Sequence, residues 1–106
     1  TMSDIDRHGM ESVMERALQI AGKDVQGLHV SLDIDVLDPE IAPGVSTPAI
    51  GGVNFREMRL ALEMLYISKL VKSIDVVELN PALDDRSKSA HVTVELLEHC
   101  LGKTLL

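Results

Sequence analysis

Apolar positions along the chain change period several times, and each change marks an element. Val13, Met14, Ala17, Leu18 and Ala21 recur at helical spacing and Gly22 offers a stop, so residues 4–21 read as an amphipathic helix. Leu28, Val30, Leu32 and Ile34 then alternate with Ser31, Asp33 and Asp35, the period-two signature of a strand running to Asp35. Pro39, Pro43, Gly44, Pro48, Gly51 and Gly52 follow in one short stretch, too many interruptions for a regular element. A long, shaped loop is expected there.

Asn54 with Glu57 three residues later has the form of a capping box, and Phe55, Met58, Ala61, Leu62 and Leu65 supply the stripe of a second helix ending near Ser68. Residues 71–79, rich in β-branched side chains and closed by Asn80-Pro81, read as a second strand with Glu78 at its end. After the charged loop Asp84-Asp85-Arg86-Ser87-Lys88, a last helix is expected to start near Ser87 or Ser89. It carries Val92, Leu96, Leu97 and Cys100 and stops at Gly102. The order α, β, α, β, α implies an α/β fold with parallel strands joined by a crossover helix. Two strands make a poor independent domain, because a parallel sheet is normally covered on both faces, so the chain is expected to be a partial domain.

Composition narrows the class of function. With 106 residues and 45% hydrophobic content there is room for one domain with a core, built on aliphatic side chains because Phe55 and Tyr66 are the only aromatics. The net charge of -7 argues against nucleic acid or an anionic membrane surface and suits cations better. Cys100 is the only cysteine, which excludes an internal disulfide and fits core packing in a reducing, cytoplasmic setting. No apolar run reaches the ~18 residues of a membrane span, and the N-terminus lacks a signal-peptide pattern.

The chemistry centres on Asp33 and Asp35. On one face of a strand their Cα atoms would lie roughly 7 Å apart at a rise of ~3.4 Å per residue, near enough for both carboxylates to meet one or two cations. Carboxylates are hard ligands suited to Mn²⁺ or Mg²⁺, and ions they bridge bring a bound water toward ionisation at neutral pH. The pair alone also admits a solvated or capping role. Asp38 before Pro39 reads as a turn cap. A Ca²⁺ loop beginning at Asp33 fails, because its sixth and twelfth places hold Asp38 and Gly44 rather than Gly and Glu. A phosphatase of the haloacid-dehalogenase type also opens with Asp-x-Asp after an apolar strand, but Leu37 stands where it carries Thr or Val. His29 reads as a satisfied core histidine, and His8, His91 and His99 fall on helical segments.

Ser31-Leu32-Asp33-Ile34-Asp35 followed by Pro39, Pro43-Gly44, Thr47-Pro48 and Gly51-Gly52 resembles the metal-binding signature of the ureohydrolase family, which contains arginases and agmatinases. Val77-Glu78-Leu79-Asn80-Pro81 is similar to that family's Glu-x-Asn-Pro segment, and Asn54-Phe55-Arg56-Glu57 to its Tyr-Arg-Glu helix opening. The ending from Val94 to Leu106 is closer to arginases than to agmatinases. The resemblance spans nearly the whole chain and implies that residues 1–106 are the C-terminal segment of a single ureohydrolase domain, a three-layer αβα fold with a parallel sheet.

It further implies manganese-dependent hydrolysis of L-arginine to L-ornithine and urea by the complete enzyme, with two Mn²⁺ per active site. Asp33 and Asp35 would be metal ligands, Asp33 bridging the ions. Glu78 would face the guanidinium, and Thr47 would supply a hydroxyl near the substrate. A cytoplasmic homo-oligomer, trimer or hexamer, is implied too, with no nucleic-acid or membrane partner. The alternatives are an agmatinase or other guanidino-compound ureohydrolase, or a non-catalytic assembly segment, since the family's Arg-Glu pair near Arg56 and Glu57 sits at a subunit contact. Two departures are visible: Val36 stands where animal arginases carry Gly, and Ser46 replaces the Gly before Thr-Pro. The family's Gly-Gly-Asp-His and Asp-x-His-x-Asp motifs, which hold its other ligands and lie upstream, do not occur in this chain, which by itself is expected to be inactive.

Overall fold

A two-stranded parallel sheet organises the chain in a computed structural model that describes residues 1–104. Leu105 and Leu106, part of the ending that resembles arginases, lie outside the described residues. Helix α1 spans Met2–Ala21, strand β1 Leu28–Asp33, helix α2 Phe55–Ser68, strand β2 Val71–Val77 and helix α3 Lys88–Cys100. Short 3-10 turns at Ile34–Val36 and Pro81–Leu83 follow the two strands. The strands pair in parallel through the crossover helix α2, with His29 opposite Ser73, Ser31 opposite Asp75 and Asp33 opposite Val77. Among the described residues no helix is long and apolar enough to cross a membrane.

Local chemistry sets most boundaries. Asn54 and Glu57 form the expected capping box, each side chain accepting the other residue's backbone N–H at 3.0 Å, and α2 starts there. Helix α1 begins at Met2 rather than residue 4 because Thr1 and Asp4 form a second capping box. Gly9 interrupts it with non-helical backbone (φ 78, ψ 157), a left-handed φ open to glycine at little cost.

Strand β1 was expected to reach Asp35 and stops at Asp33. The Asp33 carboxylate accepts the Asp35 N–H at 3.0 Å, which draws the chain out of the ladder into a 3-10 turn closed by Leu37 N–H on Ile34 O. Strand β2 likewise ends at Val77 instead of residue 79, because Glu78 takes left-handed backbone (φ 64). At α3 the expected serine caps do not act: Ser87 makes no capping bond and Ser89 is buried inside the helix. Asp84 does that work, accepting from the N–H groups of Ser89 (2.9 Å) and Ala90 (3.1 Å).

The core lies between the sheet and helices α2 and α3. Leu32, Ile34, Leu62 and Leu96 are buried in it together with Cys100, and Phe55, Met58, Leu65, Val92 and Leu97 pack around them, as the helical stripes predict. The proline- and glycine-rich loop also belongs to it through Leu37, Ala42, Val45 and Val53. Two isolated bridges pin that loop, Leu37 with Val53 and Val45 with Leu79. On α1 the buried residue is Met10, whereas Ala17 and Ala21 of the expected stripe are exposed.

Candidate active site at the carboxyl ends of the strands

Open parallel sheets gather their chemistry beyond the carboxyl ends of the strands, where loops diverge and leave a crevice. Asp33 is the last residue of β1 and pairs with Val77, the last residue of β2, so Glu78 emerges directly beside it. Asp35 sits in the turn after β1 and not on the strand, so the two aspartates are joined through a turn rather than by strand alternation. The loop then brings Thr47 back: its Oγ1 donates to Asp35 Oδ2 at 2.7 Å. The four residues singled out from the sequence therefore assemble at one end of the sheet.

Asp33 is partly buried, and burial pushes its pKa above the usual carboxylate value. The N–H of Asp35 works against this, but the neighbouring Asp35 carboxylate, through a shared hydrogen bond and like charge, adds to the rise. Two hard oxygen donors held together against their mutual repulsion form an arrangement that a cation would relieve. Among the described residues, however, no three side chains of His, Cys, Asp or Glu converge as a metal cluster. The pair fits one edge of a hard-cation site and does not complete it.

Glu78 holds a left-handed φ of 64°, an uncommon state for a residue with a Cβ and one found disproportionately where a side chain must be aimed. Asp38 plays the turn-cap part expected of it, accepting from the N–H groups of Glu40 and Gly51 at 2.9 Å. Those N–H donors hold its carboxyl below the usual range.

His29 departs from its expected role. It is exposed, not in the core, with Nδ1 at 2.8 Å from Ser73 Oγ and Nε2 at 3.3 Å from Asp75 Oδ2. Ser31 donates to the same carboxylate at 2.7 Å. The reason is register: His29 and Ser31 occupy the β1 face opposite Leu32, and β2 presents Ser73 and Asp75 beside them. Asp75, unremarked in the sequence, was signalled by the alternation of Ser73 and Asp75 with Ile74 and Val76. His99 is fully buried, its Nδ1 at 3.0 Å from Glu63 Oε1 and 2.8 Å from Lys103 O, while Glu63 also accepts from Arg59 at 2.7 Å. This cluster ties α2 to α3.

The arginase family model matches residues 1–102. The arginase of Bacillus subtilis (strain 168) is 49% identical over 106 residues, covering all of this chain and 36% of that protein. A crystal structure of Bacillus subtilis arginase superposes with a TM-score of 0.94 at 50% identity, over all of this chain and 38% of the other. The native structure of Bacillus caldovelox arginase does so with a TM-score of 0.95 at 46% identity, over all of this chain and 36% of the other. The chain thus spans about a third of the length of the curated relatives it matches.

Proposed function

The chain belongs to the arginase family, and from that premise we propose that the whole protein hydrolyses L-arginine to L-ornithine and urea with manganese. This segment would supply part of the metal site and the group that holds the guanidinium. The observation that carries the reading is the juxtaposition of Asp33, Asp35 and Glu78 at the carboxyl ends of two paired parallel strands.

Asp33 and Asp35 would hold Mn²⁺, the remaining ligands of a two-ion centre coming from chain outside these residues. Manganese, when bound, supplies the Lewis acidity that brings water toward ionisation at neutral pH. Thr47 fixes the orientation of the Asp35 carboxylate through its hydrogen bond, leaving the other oxygen for the metal. Glu78 is the acceptor for the substrate: a planar guanidinium can donate two parallel hydrogen bonds to one carboxylate, which holds its carbon in register for attack by water. A cytoplasmic homo-oligomer, trimer or hexamer, belongs to the same reading through the family likeness, and the net charge of -7 disfavours nucleic-acid and anionic-membrane partners.

The test is urea release by the whole protein with added Mn²⁺, on L-arginine and on agmatine, with Asp33→Asn alongside. The reading expects release from L-arginine, little from agmatine, and loss of at least about a hundredfold in the variant, whose ligand strength is reduced. Preference for agmatine would replace the substrate assignment, and an undiminished Asp33→Asn would remove the metal role.

A further inference from the structure

We infer that Ser46 is a positioning residue: by accepting a hydrogen bond from the Asn80 amide it ties the loop carrying Thr47 to the segment carrying Glu78 and keeps Glu78 aligned with the aspartate pair. The inference rests on the reading of Glu78 as the guanidinium partner.

Three links join the two segments. Asn80 N–H donates to Gly44 O at 2.7 Å, Val45 forms an antiparallel bridge with Leu79, and Asn80 Nδ2 donates to Ser46 Oγ at 3.1 Å. The first two are backbone contacts open to most sequences. The third depends on a hydroxyl at position 46. Asn80 is itself oriented, because its Oδ1 accepts the Ala82 N–H at 3.1 Å and caps the following 3-10 turn, which leaves Nδ2 to face Ser46. One residue beyond Ser46, Thr47 is bonded to Asp35. Ser46 and Thr47 therefore form a bridge, one end on the turn after β1 and the other two residues past Glu78.

Glu78 gives this bridge its importance. A non-glycine residue at φ 64 persists only where its surroundings over-determine the backbone, and here the constraint downstream of Glu78 is the set of bonds at Leu79 and Asn80. Glycine at this place would have no hydroxyl and a freer backbone. In this chain the side chain adds a contact that glycine cannot make.

The experiment uses the whole protein with Mn²⁺ and compares Ser46→Ala, Ser46→Gly and Ser46→Thr. Glu78 both holds the guanidinium and keeps its carbon in register for attack, so loosening it lowers kcat/KM whichever of the two roles suffers more. The Ala and Gly variants should lower kcat/KM for L-arginine about two- to tenfold, the range one hydrogen bond accounts for, while Thr restores wild-type values. Amide hydrogen exchange over residues 44–47 and 78–80 should quicken in Ser46→Ala and not in Ser46→Thr. An unchanged kcat/KM in Ser46→Ala, with or without faster exchange, overturns the positioning role. If the unsubstituted protein releases no urea from either L-arginine or agmatine, the functional reading fails separately. Exchange then decides the tie by itself, and equal rates in Ser46→Ala and wild type overturn it.

Discussion

A Cβ built on Gly52 would lie 2.6 Å from Val36 O, 2.7 Å from Asp38 N and 2.8 Å from the Leu37 carbonyl carbon, all backbone atoms that cannot swing aside. The chain returns there against the turn that presents Asp35, and Val53 closes the contact with reciprocal bonds to Val36 O (2.8 Å) and Asp38 N (3.0 Å). Gly52→Ala should therefore cost about 1–3 kcal/mol in chemical denaturation and lower activity by displacing Asp35, since overpacking against rigid backbone cannot relax locally. Wild-type stability and activity in that variant would count against this account of the turn. Residue chemistry of this kind was half legible in the sequence. Gly51-Gly52 could be seen to belong to a shaped loop, but the partner that demands glycine at 52 lies on the far side of that loop. Asp33 and Asp35 stood out as a carboxylate pair at an expected strand end, whereas Glu78 took its role only from the resemblance of residues 77–81 to a family segment. Thr47 became a partner of Asp35 only through a loop closure that no local pattern encodes.

Among the elements, α2 was the most legible because its start is a reciprocal bond between residues three apart, and its stripe follows one period. The start of α3 was less so. Asp84 reaches forward five and six residues to Ser89 and Ala90, while Gly44 packs so close that a Cβ there would meet the Asp84 carboxyl carbon at 2.7 Å. Gly44 N–H also donates to the buried Ser89 Oγ at 2.7 Å, so the loop and α3 are capped together. Burial of Asp84 acts to raise its pKa, but the N–H donors of Ser89, Ala90 and Asp85 outweigh it and hold the carboxyl below the usual range. A carboxyl with a depressed folded pKa stabilises the fold fully above its unfolded value, and that contribution is lost as pH falls through the folded value. Asp84→Asn keeps an acceptor without the charge and should flatten this acid limb in pH-dependent melts. Asp84→Ala should cost about 1–2 kcal/mol at neutral pH, as for a lost helix cap. Identical acid limbs in wild type and Asp84→Asn would dismiss the electrostatic part.

Over the whole molecule, the described residues make a compact body, with a radius of gyration of 13.8 Å against the ~13 Å typical of 100 residues, although the sheet has only two strands. Among the described residues the candidate site offers the Asp33–Asp35 pair and no third ligand beside it, and the chain is about a third of its relatives. If the ions bind at these carboxylates, they bind only the folded state, so chelation should lower the melting temperature of the whole protein and added Mn²⁺ should restore it. The Asp33→Asn variant should respond much less, and equal responses would place the metal elsewhere. The sequence by itself determined the alternation of strand and helix, the parallel crossover and the carboxylates near the strand ends. Periodicity, capping pairs and strand-end carboxylates are local, set by neighbours a few positions apart. Tertiary structure alone decided that β1 breaks at Asp33, that His29 faces outward beside Asp75, and that Asp84 rather than a serine caps α3. It also decided that Ser46 and Thr47 bridge Asn80 and Asp35. Each depends on a partner brought close by chain closure, or on competition between a side-chain hydrogen bond and the ladder, and such energies exist only once the chain has folded.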